Sequence, residues 1–405
     1  MLGMRFPMGR VLAGPRGAAL SLDFVTPGAS LDSRVTFSRA SGATYFDAAG
    51  VMQIAGNNIA RLDFDPVTLA PRGLLIEETR TNMPLRSAEI DNVAWTKFQS
   101  SITADMALAP DGNMAADKVV ENTATSQHGV FQSTAKAASA ITYSATAFFK
   151  AAERTSVRML MEGSASGNAA VTVNLSAGTI AAPTVSGFTG ASASIYGAGN
   201  AWYRPVLTAT TNTNTGVYFT AYMMSGANIS YTGDGSSGLT VWGVQLEVGA
   251  YPTSYIPTTS ASATRAADLA TIDLSTVPVD FAAFSLLHAF THAGAETILT
   301  LDDGTTTEVV RLVVSAGTLR LQVVDGGSTV ADIAVGAVSI GSTYRVAARI
   351  AANDVAVSVN GGAVATDSSV TVPALTRLAF GQAWHRELSF YEDARTDAFL
   401  QQVTA

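Results

Sequence analysis

The chain has 405 residues, 47% of them hydrophobic, so it can bury a substantial core, and its length predicts two or three domains. Its 24 Lys and Arg against 32 Asp and Glu give a net charge of −8, which argues against a basic surface for nucleic acid. The absence of cysteine excludes disulfides, thiolate metal sites and a cysteine nucleophile.

The first 30 residues predict an extended arm. The opening "MLGMRFPMGRVLAGPRGAALSLDF" carries Arg5, Arg10 and Arg16 in an otherwise acidic chain. These charges and Pro15 interrupt its apolar residues, so we predict no signal peptide. No apolar run approaches the roughly 20 residues that cross a bilayer, so we predict no membrane insertion. We expect the arm to need a partner surface to become ordered.

Strand patterns begin in earnest after residue 140. In "TYSATAFFK", residues 142–150, apolar residues alternate with polar ones, as in a half-buried strand. The series continues in "AAVTVNLSAGTI", "GNAWYRPVLTA", "TGVYFTAYMM" and "LTVWGVQLE". Short strands at this spacing indicate an antiparallel sandwich or jelly roll.

Residues 251–268, "YPTSYIPTTSASATRAAD", have neither a strand period nor a helix period. Pro252 and Pro257 remove backbone donors, and the Ser/Thr/Ala run offers little apolar surface to bury. We interpret this segment as a domain boundary that Tyr251 and Tyr255 hold against the preceding domain.

A second set of strands follows this segment. "VVRLVVSAGTLRLQVVDGG" and "YRVAARIAANDVAVSVNGGAVAT" indicate strands joined by tight turns. The predicted fold is therefore all-β: two consecutive antiparallel β-sandwich, jelly-roll-like domains after an extended N-terminal attachment region. The expected boundaries are 1–84 for that region, 85–262 for the first sandwich and 263–405 for the second.

Metal and catalytic patterns are weak. His288 and His292 have the spacing of a zinc-binding helix, but the residues around them alternate as in a strand. Glu77 and Glu78 are neighbours and would point to opposite faces of a strand, whereas a glycosidase needs two carboxyls facing one bond. We predict that the protein is not an enzyme and has no catalytic residue.

Sugar binding requires aromatic faces that stack on apolar ring surfaces, with polar groups beside them. Tyr218 and Tyr222 share one face of the strand "VYFTAYMM". Arg158 and Glu162 share one face of "SVRMLMEG" and can supply polar groups. Trp202 is a further candidate, although a buried core tryptophan is the more common arrangement. These five residues are the predicted carbohydrate-binding set.

Longer motifs carry a family resemblance. They are "SLDFVTPGASLDSRVTFSRASGATYFDAAGVM", "ARLDFDPVTLAPRGLLIEETRTN", "WTK", "APDGNMAADKVVE", "FFKAAERTSVRM", "GNAWYRPVLT" and "VWGVQLEVGAYPTSYIPTTSASATRAAD". Together they resemble the N-terminal region and carbohydrate-binding-like module of tailed-phage fibre, head-spike and minor structural proteins. The end of the chain, "LSFYEDARTDAFLQQVTA", resembles the last strand and terminal helix of concanavalin-A-like or laminin-G-like domains.

This resemblance implies a virion appendage, a tail fibre or head spike. It would attach to other virion proteins by its N-terminus and recognise host surface polysaccharide without catalysis. It would be assembled in the host cytoplasm, lie on the virion surface and form a homo-oligomer, with a trimer favoured. The alternative is a structural decoration or connector that binds no sugar.

The resemblance also raises the question of a structural calcium. Many jelly-roll carbohydrate modules hold this ion between an early Glu and an Asp of the last strand. Glu89 fits the early position and Asp91 could add oxygen ligands, but Trp242 and Gly243 stand where the later acid is expected. We therefore predict no cofactor and leave calcium as an open alternative.

Overall fold

The computed structural model describes residues 17–405, which are almost entirely β, with 55% in strands and 3% in helix. Their sheets are antiparallel, so the predicted all-β class is confirmed. The described chain divides into two compact units. Unit 1 comprises residues 17–36 together with 270–405, and unit 2 comprises residues 37–269.

The strands are numbered in chain order. The first two are β1 (Ala18–Asp23) and β2 (Val35–Ser38). Next come β3 (Ala43–Phe46), β4 (Met52–Ala55), β5 (Arg61–Phe64), β6 (Pro71–Ile76), β7 (Arg80–Asn82), β8 (Thr96–Phe98), β9 (Ser100–Leu108), β10 (Met114–Glu121), β11 (Thr125–Gln127), β12 (Gly129–Ala135), β13 (Thr142–Ala151), β14 (Ser156–Gly163), β15 (Asn168–Asn174), β16 (Thr179–Ile180), β17 (Thr184–Ser186), β18 (Thr189–Gly197), β19 (Tyr203–Thr210), β20 (Gly216–Met223), β21 (Ser230–Thr232), β22 (Gly238–Val248) and β23 (Ala263–Arg265).

The remaining elements are β24 (Leu269–Asp273), a 3₁₀ turn (Leu274–Thr276), β25 (Ala283–His292), β26 (Thr297–Asp302), β27 (Val309–Ser315), β28 (Thr318–Asp325), β29 (Ser328–Ala337), β30 (Thr343–Ala351), β31 (Asp354–Val359), β32 (Ala365–Asp367), β33 (Arg377–Phe380), β34 (Ala383–Tyr391) and the helix α1 (Asp397–Thr404).

Unit 2 is built around a sandwich of two antiparallel sheets. One has the order β18-β19-β13-β22-β10-β9, and the other has the order β16-β15-β14-β20-β12-β8. Alternate residues of both sheets form one apolar core, for example Tyr143 and Phe149 of β13 with Met159 of β14 and Phe219 of β20. Because side chains alternate across a strand, the residues between these core positions lie on the outer faces.

The segment 251–268 is bound to unit 2 through much of its length. Tyr255 is 2% exposed, and its hydroxyl lies 2.6 Å from Ser87 Oγ. At the start of the segment, the Tyr251 hydroxyl donates to the Glu78 carboxylate. Near its end β23 pairs with β7. Unit 2 therefore continues to residue 269, beyond the expected boundary at 262, and it includes residues 37–84, which we had assigned to a separate attachment region.

Unit 1 also contains two antiparallel sheets. One has the order β32-β31-β30-β25-β34, with β1 also paired to β34, and the other runs β24-β33-β26-β27-β28-β29. His385 of β34 lies against Phe380 of β33, with the ring centroids 4.8 Å apart, so the two sheets are packed face to face. The terminal helix begins at the N-cap Thr396 and buries Leu400 beside Leu287 and Tyr391.

The expectation of an extended arm through residue 30 is wrong for residues 18–23. These residues form β1, in which Leu20 is paired with Phe390 of β34. Leu20 and Leu22 are 1% and 2% exposed, because the alternation in "AALSLD" places both on the core side of the sheet. The part of the prediction that concerns residues 1–16, with Arg5, Arg10 and Arg16, lies outside the described residues.

His288 and His292 lie on strand β25, as the alternation around them predicted, and both side chains are buried. Within residues 17–405 no helix is both long and apolar enough to cross a membrane.

Candidate ligand-binding groove

A groove with a volume of about 540 Å³ lies on the outer face of the sheet formed by β8, β12, β14 and β20. This volume falls within the range of roughly 300–1,000 Å³ that is typical of small-ligand sites. Its lining consists of Phe98, Gln99, Ser126, Gln127, Phe131, Glu162, Gly163, Tyr218, Thr220 and Tyr222.

Strand register brings most of the predicted site residues together. On the outer face Tyr218 of β20 is directly opposite Glu162 of β14, and Tyr222 is opposite Arg158. Outward residues on one strand recur every second position, so a third row, Thr220 opposite Leu160, lies between these two pairs. Tyr218, Tyr222 and Glu162 line the groove itself, whereas Arg158 lies at its flank.

Two aromatic residues that we did not predict complete the apolar part of the groove. Phe98 of β8 lies with its ring centroid 5.1 Å from that of Tyr222 and 6.0 Å from that of Phe131. The Phe131 ring is in turn 5.9 Å from Tyr218. All four rings are half-buried, so they form one continuous aromatic surface that is partly open to solvent. The alternation in "GVFQSTA" marks Phe131 as outward-facing, but the three-residue strand of Phe98 gives no such signal.

Gly129 makes this aromatic surface possible. It is opposite both Phe98 and Tyr222 in the register of the sheet. A Cβ atom here would lie 2.9 Å from Cζ of Phe98 and 2.0 Å from the carbonyl oxygen of Ala221. The missing side chain therefore leaves the space in which the Phe98 ring packs.

Glu162 is the charged side chain among the lining residues, and Thr220 holds it in place. The hydroxyl of Thr220, which is 2% exposed, donates to Glu162 Oε2 at 2.6 Å. Burial and the nearby charge of Glu162 raise the pKa of Tyr222, so its phenol stays protonated and remains a hydrogen-bond donor.

One end of the groove is formed by Gln99 and by β11, which pairs with β21 in a two-stranded sheet. Gln99 has a φ of 46°, which is uncommon for a residue other than glycine. His128 donates from Nδ1 to the Gln99 carbonyl oxygen at 2.7 Å, and Asn122 donates from Nδ2 to Gln99 Oε1 at 2.7 Å. Because its amide oxygen is already paired, Gln99 can offer its amide hydrogens to a ligand.

A buried carboxylate supports the two-stranded sheet of β11 and β21. Glu121 accepts from Arg154 Nε at 2.8 Å, from the Tyr231 hydroxyl at 2.6 Å and from the Asp234 amide at 2.9 Å. Burial and the charge of Glu121 raise the pKa of Tyr231. Sequence reasoning missed this cluster, since its members lie far apart in the chain.

Two predicted residues are not part of the groove lining. Trp202 is 1% exposed, packs with Trp242 and Tyr255, and donates from Nε1 to the Leu108 carbonyl oxygen at 3.0 Å. It therefore presents no face to a ligand, and its inclusion in the predicted set is corrected. Arg158 reaches away from the lining to the hydroxyl of Thr184, at 3.0 Å.

The residues that we considered for calcium do not fit that ion. The Glu89 carboxylate pairs with Arg86 at 3.0 Å. Lys97 donates from Nζ to the carbonyl oxygens of Asp91 and Asn92, at 2.8 and 2.5 Å, so an ammonium group already occupies these oxygens. In residues 17–405 no group of three or more His, Cys, Asp or Glu side chains could hold a metal.

No protein-family model and no curated protein matches the chain. Among solved structures, the CBM40 of a Ruminococcus gnavus sialidase bound to α2,6-sialyllactose is similar over 33% of this chain and 91% of that chain, with 16% identity and a TM-score of 0.28. The similarity to the mouse laminin α1 domains LG4-5 covers 69% of this chain and 91% of the laminin chain, with 10% identity and a TM-score of 0.22.

The similarity to the tandem CBM22 domains of Paenibacillus barcinonensis Xyn10C covers 77% of this chain and 96% of the Xyn10C chain, with 9% identity and a TM-score of 0.26. The structural neighbours are thus carbohydrate-binding modules and laminin G domains, and none of these three is a phage protein. At these TM-scores the similarities identify no family for this chain.

Proposed function

We propose that unit 2 binds a carbohydrate in the groove of β8, β12, β14 and β20. The observation that carries the proposal is the continuous surface of four half-buried aromatic rings beside a fixed carboxylate, in a groove of about 540 Å³. Aromatic faces pack against the apolar faces of sugar rings, and side-chain carboxylates and amides hydrogen-bond to the hydroxyls. Glu162, Gln99 and Gln127 provide such polar groups at the groove.

We propose binding without cleavage. Glycoside hydrolysis ordinarily uses two carboxyl groups, about 5–9.5 Å apart, on either side of the scissile bond. Glu162 is the only carboxylate among the residues that line the groove. A single carboxylate held by Thr220 is suited to accepting hydrogen bonds from a sugar, but it has no partner acid at the groove.

Tyr222→Ala is expected to weaken glycan binding by about tenfold or more, since central aromatic residues dominate binding energies. The matched control is Tyr196→Ala, because Tyr196 is 38% exposed and lies on β18, in the other sheet of unit 2. Affinity for the best ligand of a glycan array would be measured by calorimetry, with circular dichroism to check the fold.

Equal affinity in Tyr222→Ala and Tyr196→Ala would contradict the groove as the binding site. If Tyr222→Ala fails to fold, Phe131→Ala provides the same test from the neighbouring strand β12.

We further propose that the protein acts as a virion appendage that recognises host polysaccharide. The support is the sequence resemblance over roughly residues 20–268 to phage fibre and head-spike proteins. Several copies on one particle would multiply avidity by about 10²–10⁴, which is why we keep a trimer in the proposal. A connector that binds no sugar is the alternative if no glycan is bound.

Deletion of residues 2–16 tests the attachment role. The deletion must stop before residue 18, because β1 belongs to unit 1 and its loss would remove the strand that pairs with β34. We expect the truncated protein to fold and bind glycan normally but to be missing from purified particles, as measured by quantitative immunoblotting. Particles that contain it at the normal copy number would contradict the attachment role.

A further inference from the structure

The charge of the groove constrains the ligand that it can take. Of the ten lining residues, Glu162 is acidic and none is Lys, Arg or His. The basic side chains on the strands beside the groove already hydrogen-bond to other groups. Arg158 hydrogen-bonds to Thr172 and Thr184, and Lys97 binds the carbonyl oxygens of Asp91 and Asn92.

The Glu162 carboxylate is also held in a defined orientation. Thr220 lies directly opposite Leu160 and is 2% exposed, so its hydroxyl sits at the floor of the groove. It donates to Glu162 Oε2, which leaves Oε1 to accept a hydrogen bond from a ligand. A partner for Oε1 must therefore be a donor: a hydroxyl, an amide N–H or an ammonium group.

We propose that the groove selects glycans without negative charge, neutral or amino sugars, and rejects uronic and sialic acids, with Glu162 as the residue that sets this selectivity. The inference rests on the proposed carbohydrate function. An acidic sugar in the groove would place its carboxylate beside that of Glu162, and no lining residue is a cation that could compensate either charge. Like charges in a partly desolvated contact are strongly disfavoured. Thr220 is a positioning residue, because it fixes the carboxylate without serving as the acceptor.

The experiment measures affinities of the full chain for immobilised glycan pairs that share a backbone and differ in charge. The pairs are polygalacturonic acid and its methyl ester, sialylated and desialylated lactosamine, and the hexamers of glucosamine and N-acetylglucosamine. At about 0.15 M salt, surface charges beyond roughly 8 Å are screened, so contacts in the groove dominate the comparison. In the first two pairs we expect the acidic member to bind at least about tenfold more weakly than the uncharged member, and in the third pair we expect the cationic glucosamine hexamer to be tolerated.

The variant Glu162→Gln tests whether Glu162 is the residue that sets the charge selectivity. Glutamine has nearly the same shape and can still accept from Thr220, so the variant removes the charge and keeps the geometry. We expect it to reduce the discrimination against the acidic member by about tenfold. The matched control is Glu153→Gln, which removes one negative charge from an exposed ion pair with Lys118 elsewhere in unit 2 and should leave the discrimination unchanged.

The possible failures are distinguishable. No binding to any glycan of the array by the folded wild-type chain overturns the proposed function, and the charge selectivity with it. Binding that depends on Tyr222 but is as strong for acidic as for neutral members overturns the selectivity alone. Equal changes in Glu162→Gln and Glu153→Gln would mean that net charge, rather than the groove, sets the preference.

Discussion

Glu77→Gln is expected to lower the free energy of unfolding of unit 2 by about 3–5 kcal/mol, the cost typical of removing one partner of a buried ion pair. Glu77 is 4% exposed, and its Oε2 lies 2.8 Å from Arg61 and 2.9 Å from Arg265. Ser254 donates its amide and hydroxyl hydrogens to the same carboxylate, both at 2.7 Å. Without the negative charge, two buried guanidinium groups would each lose a partner.

The same network predicts a pH dependence. Burial alone would raise the pKa of Glu77, but Arg265 and Arg61 outweigh it and lower the pKa from 4.5 to about 2. Because the folded state holds the carboxylate ionised, its contribution is complete above pH 4.5 and is lost as the pH falls towards 2. Urea denaturation of wild type and Glu77→Gln at pH 7 and pH 3 would show this, with a smaller difference between them at pH 3.

The control for this prediction is Glu89→Gln. Glu89 forms an exposed ion pair with Arg86, at 3.0 Å, and such pairs contribute no more than about 1 kcal/mol. If Glu89→Gln and Glu77→Gln destabilise unit 2 equally, burial does not determine the strength of these pairs.

Unit 1 is expected to lose stability between pH 6.5 and pH 4, and most of this range lies above pH 4.5, where the contribution of Glu77 is complete. His385 donates from Nε2 to the Gly381 carbonyl oxygen at 2.8 Å, so its Nδ1 is an acceptor, and His288 donates to it from Nε2 at 3.0 Å. Both rings are fully buried. Burial lowers the pKa of His385 from 6.5 to about 4, and burial together with the charge of His385 lowers that of His288.

The direction of the change in stability with pH depends on whether the folded or the unfolded state binds more protons. The unfolded chain protonates near pH 6.5 and the folded unit 1 does not, so acid favours unfolding until the folded pKa values are reached. Because one pKa unit corresponds to about 1.4 kcal/mol, His385 alone would remove about 3 kcal/mol. Burial lowers the pKa of His292 as well, so it contributes with the same sign.

The test is urea denaturation at several pH values between 7 and 4, with proteolytic fragments identifying the unit that opens first. A double variant, His288→Leu with His385→Leu, removes both titrating groups and should flatten the pH dependence. A wild-type unit 1 that is equally stable at pH 7 and pH 4.5 would contradict the prediction.

Strand alternation was the most reliable guide to this fold and to its groove. It placed Tyr218, Tyr222 and Glu162 on outer faces, since the position of a residue on a strand determines which face it occupies. Alternation does not show which strands are neighbours in a sheet, and it gives no signal in a strand of three residues. Phe98 was therefore missed. Trp202 was misplaced for a related reason: a tryptophan near a strand end is compatible with either a ligand platform or the core, and only packing decides.

The buried ions of unit 2 were missed for a different reason. Glu77, Arg265 and Asp268 belong to segments with no common sequence signal, and the network exists only when distant parts of the chain meet. Asp268 accepts from Arg39 at 2.9 Å and from Arg61 at 2.5 Å, and these partners lie 229 and 207 positions earlier in the sequence.

This long separation has a consequence for synthesis on the ribosome. Arg39 and Arg61 emerge early, but their carboxylate partner Asp268 is translated more than two hundred residues later. The first strands of unit 2 therefore cannot reach their final packing during most of translation, and contacts between such distant residues also slow folding. A recombinant fragment that begins at residue 85 would remove Arg39, Arg61 and Glu77 and would leave Arg265 and Asp268 without these partners. Expression of unit 2 alone should therefore begin before residue 39 and extend beyond residue 268.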